Sequence, residues 1–164
     1  MDEVRFSSKD LKNKTRWACL SNYFVRETFV QGYPYATAEH YFQAQKFSSP
    51  EYREEIRKAR SGLQAKKLGA AERDDIVENW YEKQEEVMKR GLAAKFAQHA
   101  DLKEVLLSTQ NANIIYDSSS DSFWGIGKDG KGENKLGKLL VEIREENKLG
   151  QIQLAMQCHG VGFN

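Results

Sequence analysis

Apolar and polar positions change rhythm along the chain. Val4-Arg5-Phe6 and Thr28-Phe29-Val30 read as short strands, and Gln31-Gly32-Tyr33-Pro34 carries the turn signals. Thr37 is the predicted cap of a helix that Ser48-Ser49-Pro50 ends. At about 100° per residue, Glu39, Gln43 and Lys46 fall within about 60° of one another on that helix. Phe42 and Phe47 flank this stripe, while Ala38, Tyr41 and Ala44 cover the opposite side. A helix apolar nearly all round belongs in the interior, so its polar stripe is expected to line a cavity.

From Pro50 onward helical spacing dominates. Glu51 to Ala59 reads as one helix, Gly62 as a break, and Leu63 to Leu68 as a short turn that Gly69 closes. Asp74 or Asp75 is the expected cap of a long helix through Ile76, Trp80, Val87, Leu92 and Phe96, and Asp101 that of the next, with Leu102, Val105 and Leu106 inward. Asn113 to Tyr116 reads as a strand, 117–120 as a polar loop, and Asn134 to Arg144 as the last core helix. In the remaining tail, Ile152, Leu154 and Met156 alternate like a short strand. The sum is an α+β fold: one mainly helical domain with a few short strands.

With 164 residues, two prolines and no repeat, the chain fits a single domain able to bury a core without metals or disulfides. A net charge of +1 provides no global field for nucleic acid or an anionic membrane, so an anionic ligand must be held locally. Cys19 and Cys158 match no metal or redox spacing, and His40, His99 and His159 form no metal-ligand pair. The expectation is a soluble intracellular protein, cytoplasmic or nuclear, with no cofactor, no zinc, no membrane association and no obligate protein partner. No P-loop or dinucleotide fingerprint occurs.

Two segments carry chemistry. A carboxylate and an ammonium two turns apart on a buried helix point to a site, because buried charge is costly unless paired. The plainer alternative is a surface helix with a solvated Lys46. The second segment is Asp121-Ser122-Phe123-Trp124-Gly125-Ile126-Gly127, followed by Gly130, Gly132 and Asn134. Dense glycines let backbone amides approach an anion, Trp124 offers a flat face for a base, and Asn134 opens a helix whose dipole favours phosphate. A glycine-rich hairpin around one core tryptophan is the plainer reading.

Together these segments resemble the NADAR, or YbiA-like, family. The resemblance runs through Leu20-Ser21-Asn22-Tyr23-Phe24, Thr37 to Phe47, Ala65-Lys66-Lys67-Leu68-Gly69, Trp80 with Met88, Lys95-Phe96, Leu106 to Thr109 and Asp121 to Gly137. It spans roughly Phe6 to Arg144, leaving 145–164 as an extension. It implies a small α+β protein of ADP-ribose and related nucleotide chemistry that breaks a bond between a sugar C1 and nitrogen. Several relatives carry a glutamate where this chain has Tyr116, and Asp117 would point to the other face of an extended segment.

Such cleavage needs an acid for the leaving nitrogen and a group that captures C1. Glu39 is the candidate acid. A lining of Phe42, Tyr41 and Trp124 would favour its protonated form, and a nearby ammonium would oppose that. The resemblance implies a lysine intermediate, for which Lys46 and Lys66 are the candidates; the shared face with Glu39 favours Lys46. Ser21 and Asn22 are candidates for ribose hydroxyls and Arg16 or Arg26 for phosphate. Asp121 is a candidate for a hydroxyl or for bracing the loop. Tyr41, Gln43, Trp124, Gly125, Gly127 and Asn134 complete the substrate-binding set, with Trp80, whose periodic neighbours also read as core. Three functions compete: a hydrolase removing ADP-ribose from guanine in a nucleotide, single-stranded DNA or RNA; a glycosidase of phosphorylated riboflavin-pathway intermediates; and a non-catalytic ADP-ribose-binding module.

Overall fold

The computed structural model describes residues 1–159. A strand β1 (Glu3–Phe6) leads into a short helix α1 (Ser8–Asn13) and a 3₁₀ turn (Arg16–Leu20). Strands β2 (Thr28–Val30) and β3 (Tyr33–Tyr35) follow, then helices α2 (Ala38–Gln45), α3 (Pro50–Arg57), α4 (Gly62–Gly69), α5 (Trp80–Gln98) and α6 (Ala100–Ser108). Strand β4 (Asn113–Tyr116) and a long helix α7 (Lys135–Cys158) complete the order. Parallel β1 and β4 pair from Glu3 with Asn113 to Phe6 with Tyr116. Antiparallel β2 and β3 form a separate hairpin whose two loop residues, Gln31 and Gly32, both take positive φ (53° and 86°), the requirement of a tight hairpin turn.

Helix α2 positions the site. Thr37, extended, accepts the His40 backbone N–H (3.2 Å) and starts the helix as its cap. Two apolar clusters then close over it. Ala38 and Phe42 join Trp80, Leu92, Phe96, Ile114 and Leu140 in one, while Tyr41 and Ala44 join Tyr35, Phe47, Tyr52 and Ile56 in the other. Every residue from Ala38 to Ala44 is therefore buried, including Glu39, His40 and Gln43.

Several boundaries differ from the periodicity. Gly62 is the first residue of α4, capped by Ser61, whose hydroxyl accepts the Gln64 N–H (3.1 Å). The long helix begins at Trp80, because 70–79 is spent on tertiary contacts: Ile76 bridges to Phe47, and Asp75 accepts the Ser49 N–H (3.1 Å) and pairs with Arg73 (2.7 Å). Asp101 lies inside the first turn of α6, whose cap residue is His99, and meets Arg26 through two bonds (2.9 and 3.1 Å). The strand-like alternation of Ile152, Leu154 and Met156 is overridden, since α7 continues as helix to Cys158 with Leu149, Ile152 and Leu154 exposed.

Helix α7 packs on β4 so closely that a Cβ at Gly137 would sit 2.0 Å from the Ile114 carbonyl oxygen. Asn134, at φ 51°, locks the same junction: its side chain accepts from the Tyr116 N–H and donates to the Ile114 carbonyl, both at 2.9 Å. Among the described residues no helix is long and apolar enough to cross a membrane.

Candidate active site

A polar chamber of about 210 Å³ opens beside α2, lined by Asn22, Glu39, Phe42, Gln43, Lys66, Asp121 and Trp124 among others. Tyr23, Lys66, Tyr116, Ser118 and Ser120 are shared with a second chamber of about 470 Å³, which also borders Ser21, His40, Arg60 and Ser61.

Glu39 is 4% exposed and bound on both oxygens: Asn22 Nδ2 donates to Oε2, and Gln43 Nε2 to Oε1 (2.7 Å). Burial pushes its carboxyl above the ordinary carboxylate range, against the two amide donors and the Lys66 charge, which favour the anion; Asp121 adds to the rise. The result is a carboxyl inclined to hold a proton. Gln43 in turn depends on Gly69, where a Cβ would lie 1.8 Å from the Gln43 Oε1. The absent side chain of α4 leaves room for the amide that orients the acid.

Asn22 lies on a backbone pinned from both sides. Its carbonyl accepts the Glu39 N–H (3.0 Å), and the Lys95 ammonium, 2% exposed, donates to the carbonyls of Cys19 (2.7 Å) and Ser21 (3.0 Å). Burial pulls the Lys95 pKa down to about 8. Between about pH 8 and the ordinary lysine value of 10.5 the unfolded chain keeps a proton that the folded chain has released, so the Lys95 contribution to stability rises with pH. Comparison with Lys95→Met by denaturant unfolding at pH 7 and 10.5 should show the difference between the two proteins changing by about 3 kcal/mol in that sense. A pH-independent difference would mean that Lys95 stays charged.

The other expected residues divide. Gln43, Asp121 and Trp124 line the inner chamber and Ser21 the outer one. Asp121 also braces its loop, accepting the N–H groups of Phe123 (3.0 Å) and Trp124 (2.8 Å) through one oxygen. Trp124 meets Phe42 edge-on, with centroids 5.5 Å apart. Lys66, from α4, borders both chambers. Lys46 does not reach them: it closes the C-terminal end of α2, and its ammonium donates to the Gly69 carbonyl (2.8 Å) beside Phe47. The helical wheel placed it with Glu39, but α4 covers that end of the stripe.

Arg16 bonds Ser108 (2.7 Å) and stacks over Trp17, away from both chambers, and Arg26 is held by Asp101. Tyr41, wholly buried, meets Tyr35 edge-on at 5.3 Å in the second core, and Trp80 packs on Phe42 at 5.1 Å in the first. The glycine-rich loop spends its amides and carbonyls internally. Gly127 donates to Ser118 and Asp121 carbonyls, the Gly125 carbonyl accepts the Asn134 N–H, and the first amides of α7 donate to the carbonyls of Phe123 and Trp124. The amides of Gly127, Asn134 and the start of α7 are thus spent within the loop rather than held open for an anion. Asp117 is half-exposed just past β4, 3.6 Å from Arg5, and lines neither chamber.

Sequence reasoning passed over Tyr23, Ser118 and Ser120. Tyr23 lies in the quoted Leu20 to Phe24 segment, where an aromatic directly after the polar Ser21-Asn22 pair was an available signal. Burial raises the phenol pKa of both Tyr23 and Tyr116, so each stays a neutral hydroxyl at the chamber wall.

The NADAR domain model matches residues 6–148, from β1 to the core half of α7. The chain belongs to the NADAR family. N-glycosidase YbiA of Escherichia coli is 44% identical over 126 residues, covering 77% of this chain and 79% of that protein. The solution structure of E. coli YbiA superposes with a TM-score of 0.83 at 38% identity, covering 92% of this chain and 88% of that one. The riboflavin biosynthesis protein VVA0006 of Vibrio vulnificus is 35% identical over 127 residues, which is 77% of this chain but 35% of that longer protein. The NADAR fold thus carries the chamber, and relatives spanning most of its length are named N-glycosidases.

Proposed function

We propose that this NADAR domain is an N-glycosidase that removes ADP-ribose from guanine bases in nucleotides or single-stranded nucleic acid. The observation that carries the reading is the buried Glu39, its carboxyl pushed toward the protonated form by burial, in a chamber that Lys66 and Trp124 also line. In the reaction the C1–N electron pair moves onto the base nitrogen, which takes the Glu39 proton. Electron-poor C1 accepts the lone pair of the Lys66 amine, which first gives a proton to solvent, and the ring oxygen departs from C1 with one of the remaining amine protons as the iminium forms. Water adds to the iminium carbon and gives one proton back to Glu39; the former ring oxygen then returns to C1 as the amine leaves, its hydroxyl proton passing to the departing nitrogen, so that the ring closes with the water-derived hydroxyl on C1. The larger second chamber, edged by Arg60 and the capping Ser61, has room for the pyrophosphate and distal nucleoside of ADP-ribose. The near-neutral chain suits a target held through its ADP-ribose rather than along a duplex.

The relative named for riboflavin biosynthesis favours a second reading, cleavage of a phosphorylated riboflavin-pathway intermediate. Incubation with ADP-ribosylated guanosine and, separately, with such an intermediate, followed by chromatography, tests both. Free ADP-ribose from the first is the expected result. Cleavage confined to the intermediate would replace it by the second reading, and tight ADP-ribose binding without turnover would leave a binding module.

A further inference from the structure

Resting on the glycosidase reading, we infer that Asn22 selects the cleaved sugar by accepting a hydrogen bond from its 2-hydroxyl, making the enzyme specific for ribosyl over 2-deoxyribosyl substrates. Asn22 is 5% exposed and borders the inner chamber, yet its Oδ1 has no hydrogen-bond partner among the described residues. A buried amide oxygen without a donor is costly, and a ligand hydroxyl is the group that would relieve it there. The other half of the amide is committed, with Nδ2 donating to Glu39 Oε2. That bond orients the amide and leaves Oδ1 as the end without a donor. The backbone that carries the side chain is held as well, since Lys95 donates to the Ser21 carbonyl and the Glu39 N–H to that of Asn22.

The two ends of one amide are only about 2 Å apart, so a substrate group received by Oδ1 lies beside the atoms Glu39 serves. Glu39 serves the bond at the anomeric carbon. The nearest hydroxyl to that bond is on the adjoining carbon, the 2-position of the sugar. One rigid amide therefore orients the acid and reads the neighbouring hydroxyl, and the chamber asks for a furanose bearing both.

The test measures binding by calorimetry of ADP-ribose and of the analogue lacking the 2-hydroxyl on its terminal ribose, to the parent, Asn22→Ala and Asn22→Asp proteins. The expected result is at least about tenfold weaker binding of the deoxy analogue to the parent, a ratio near one in Asn22→Ala, and a retained preference in Asn22→Asp, which keeps an oxygen in place and meets Glu39 through a shared proton. Equal binding of both sugars to the parent, or a preference that survives in Asn22→Ala, overturns the assignment. If Asn22→Ala does not fold, the parent and Asn22→Asp ratios decide it. Equal binding alongside release of ADP-ribose from modified guanosine would sink the hydroxyl contact and leave the glycosidase. A 2-hydroxyl preference without turnover would do the reverse, and no binding of either sugar would remove both.

Discussion

Glu39→Gln should lower turnover by about two to four orders of magnitude while making the protein more resistant to unfolding at neutral pH. The substitution conserves volume and removes only the capacity to give and regain a proton. Its stabilising side follows from the direction of the carboxyl pKa. Burial raises it above the ordinary value of 4.5, so in the window between that value and the folded one the folded chain keeps a proton that the unfolded chain has lost. Stability therefore falls as pH rises through that window, and above it the parent carries the full cost of burying the anion. A glutamine has no such cost. The Asn22 amide can turn so that its unpartnered Oδ1 accepts from the new amide, while Gln43 continues to donate. Thermal unfolding from pH 4 to pH 8 should show the variant and parent close at the acid end and separating, with the variant above, toward neutrality. A variant less stable than the parent across the range would mean that Asn22 and Gln43 more than offset the desolvation of the carboxylate.

Lys66→Met should abolish a borohydride-trapped adduct with ADP-ribose and reduce turnover at least about a thousandfold, the scale of losing a nucleophile. Lys46→Met should keep both the adduct and most of the turnover. The two lysines differ in surroundings more than in chemistry. Burial lowers the Lys46 pKa, which favours the neutral amine a nucleophile needs, but its nitrogen is engaged by the Gly69 carbonyl outside the chambers. Lys66 borders both chambers and exerts its charge on Glu39. Peptide mass spectrometry of the reduced adduct reads the position directly. Label on Lys46 would reverse the assignment, and label on neither would remove the covalent step while leaving acid catalysis by Glu39.

The difference between these lysines shows how far the sequence reaches. Thr37, the helix behind it and the inward face of Glu39 and Gln43 were legible because a cap and a 3.6-residue period are local properties. How much of that face stays open is not local. Its far end is closed by α4, whose Gly69 receives Lys46 and makes space for Gln43, and no periodicity in α2 reports on a neighbouring helix. The same limit applies to the glycine-rich loop. Its composition says that amides can approach something closely, and in the structure that partner is the loop's own carbonyl groups. The late start of α5 has a similar cause: 70–79 has helix-compatible spacing, but Ile76 and Asp75 are drawn to the junction of α2 and α3.

The pairing of β1 with β4 has a consequence for the order of events during folding. Phe6 stacks under Tyr116 at 5.1 Å, so one wall of both chambers rests on a contact between residues more than a hundred positions apart. Closing so long a loop is entropically costly until the intervening helices have brought its ends together. A chain still emerging from the ribosome contains Glu39 early, yet the chamber beside it lacks its Tyr116 wall until β4 has been synthesised and docked. Enclosure of Glu39 is thus a late step in folding, waiting on a pairing that the helices between β1 and β4 must first make possible.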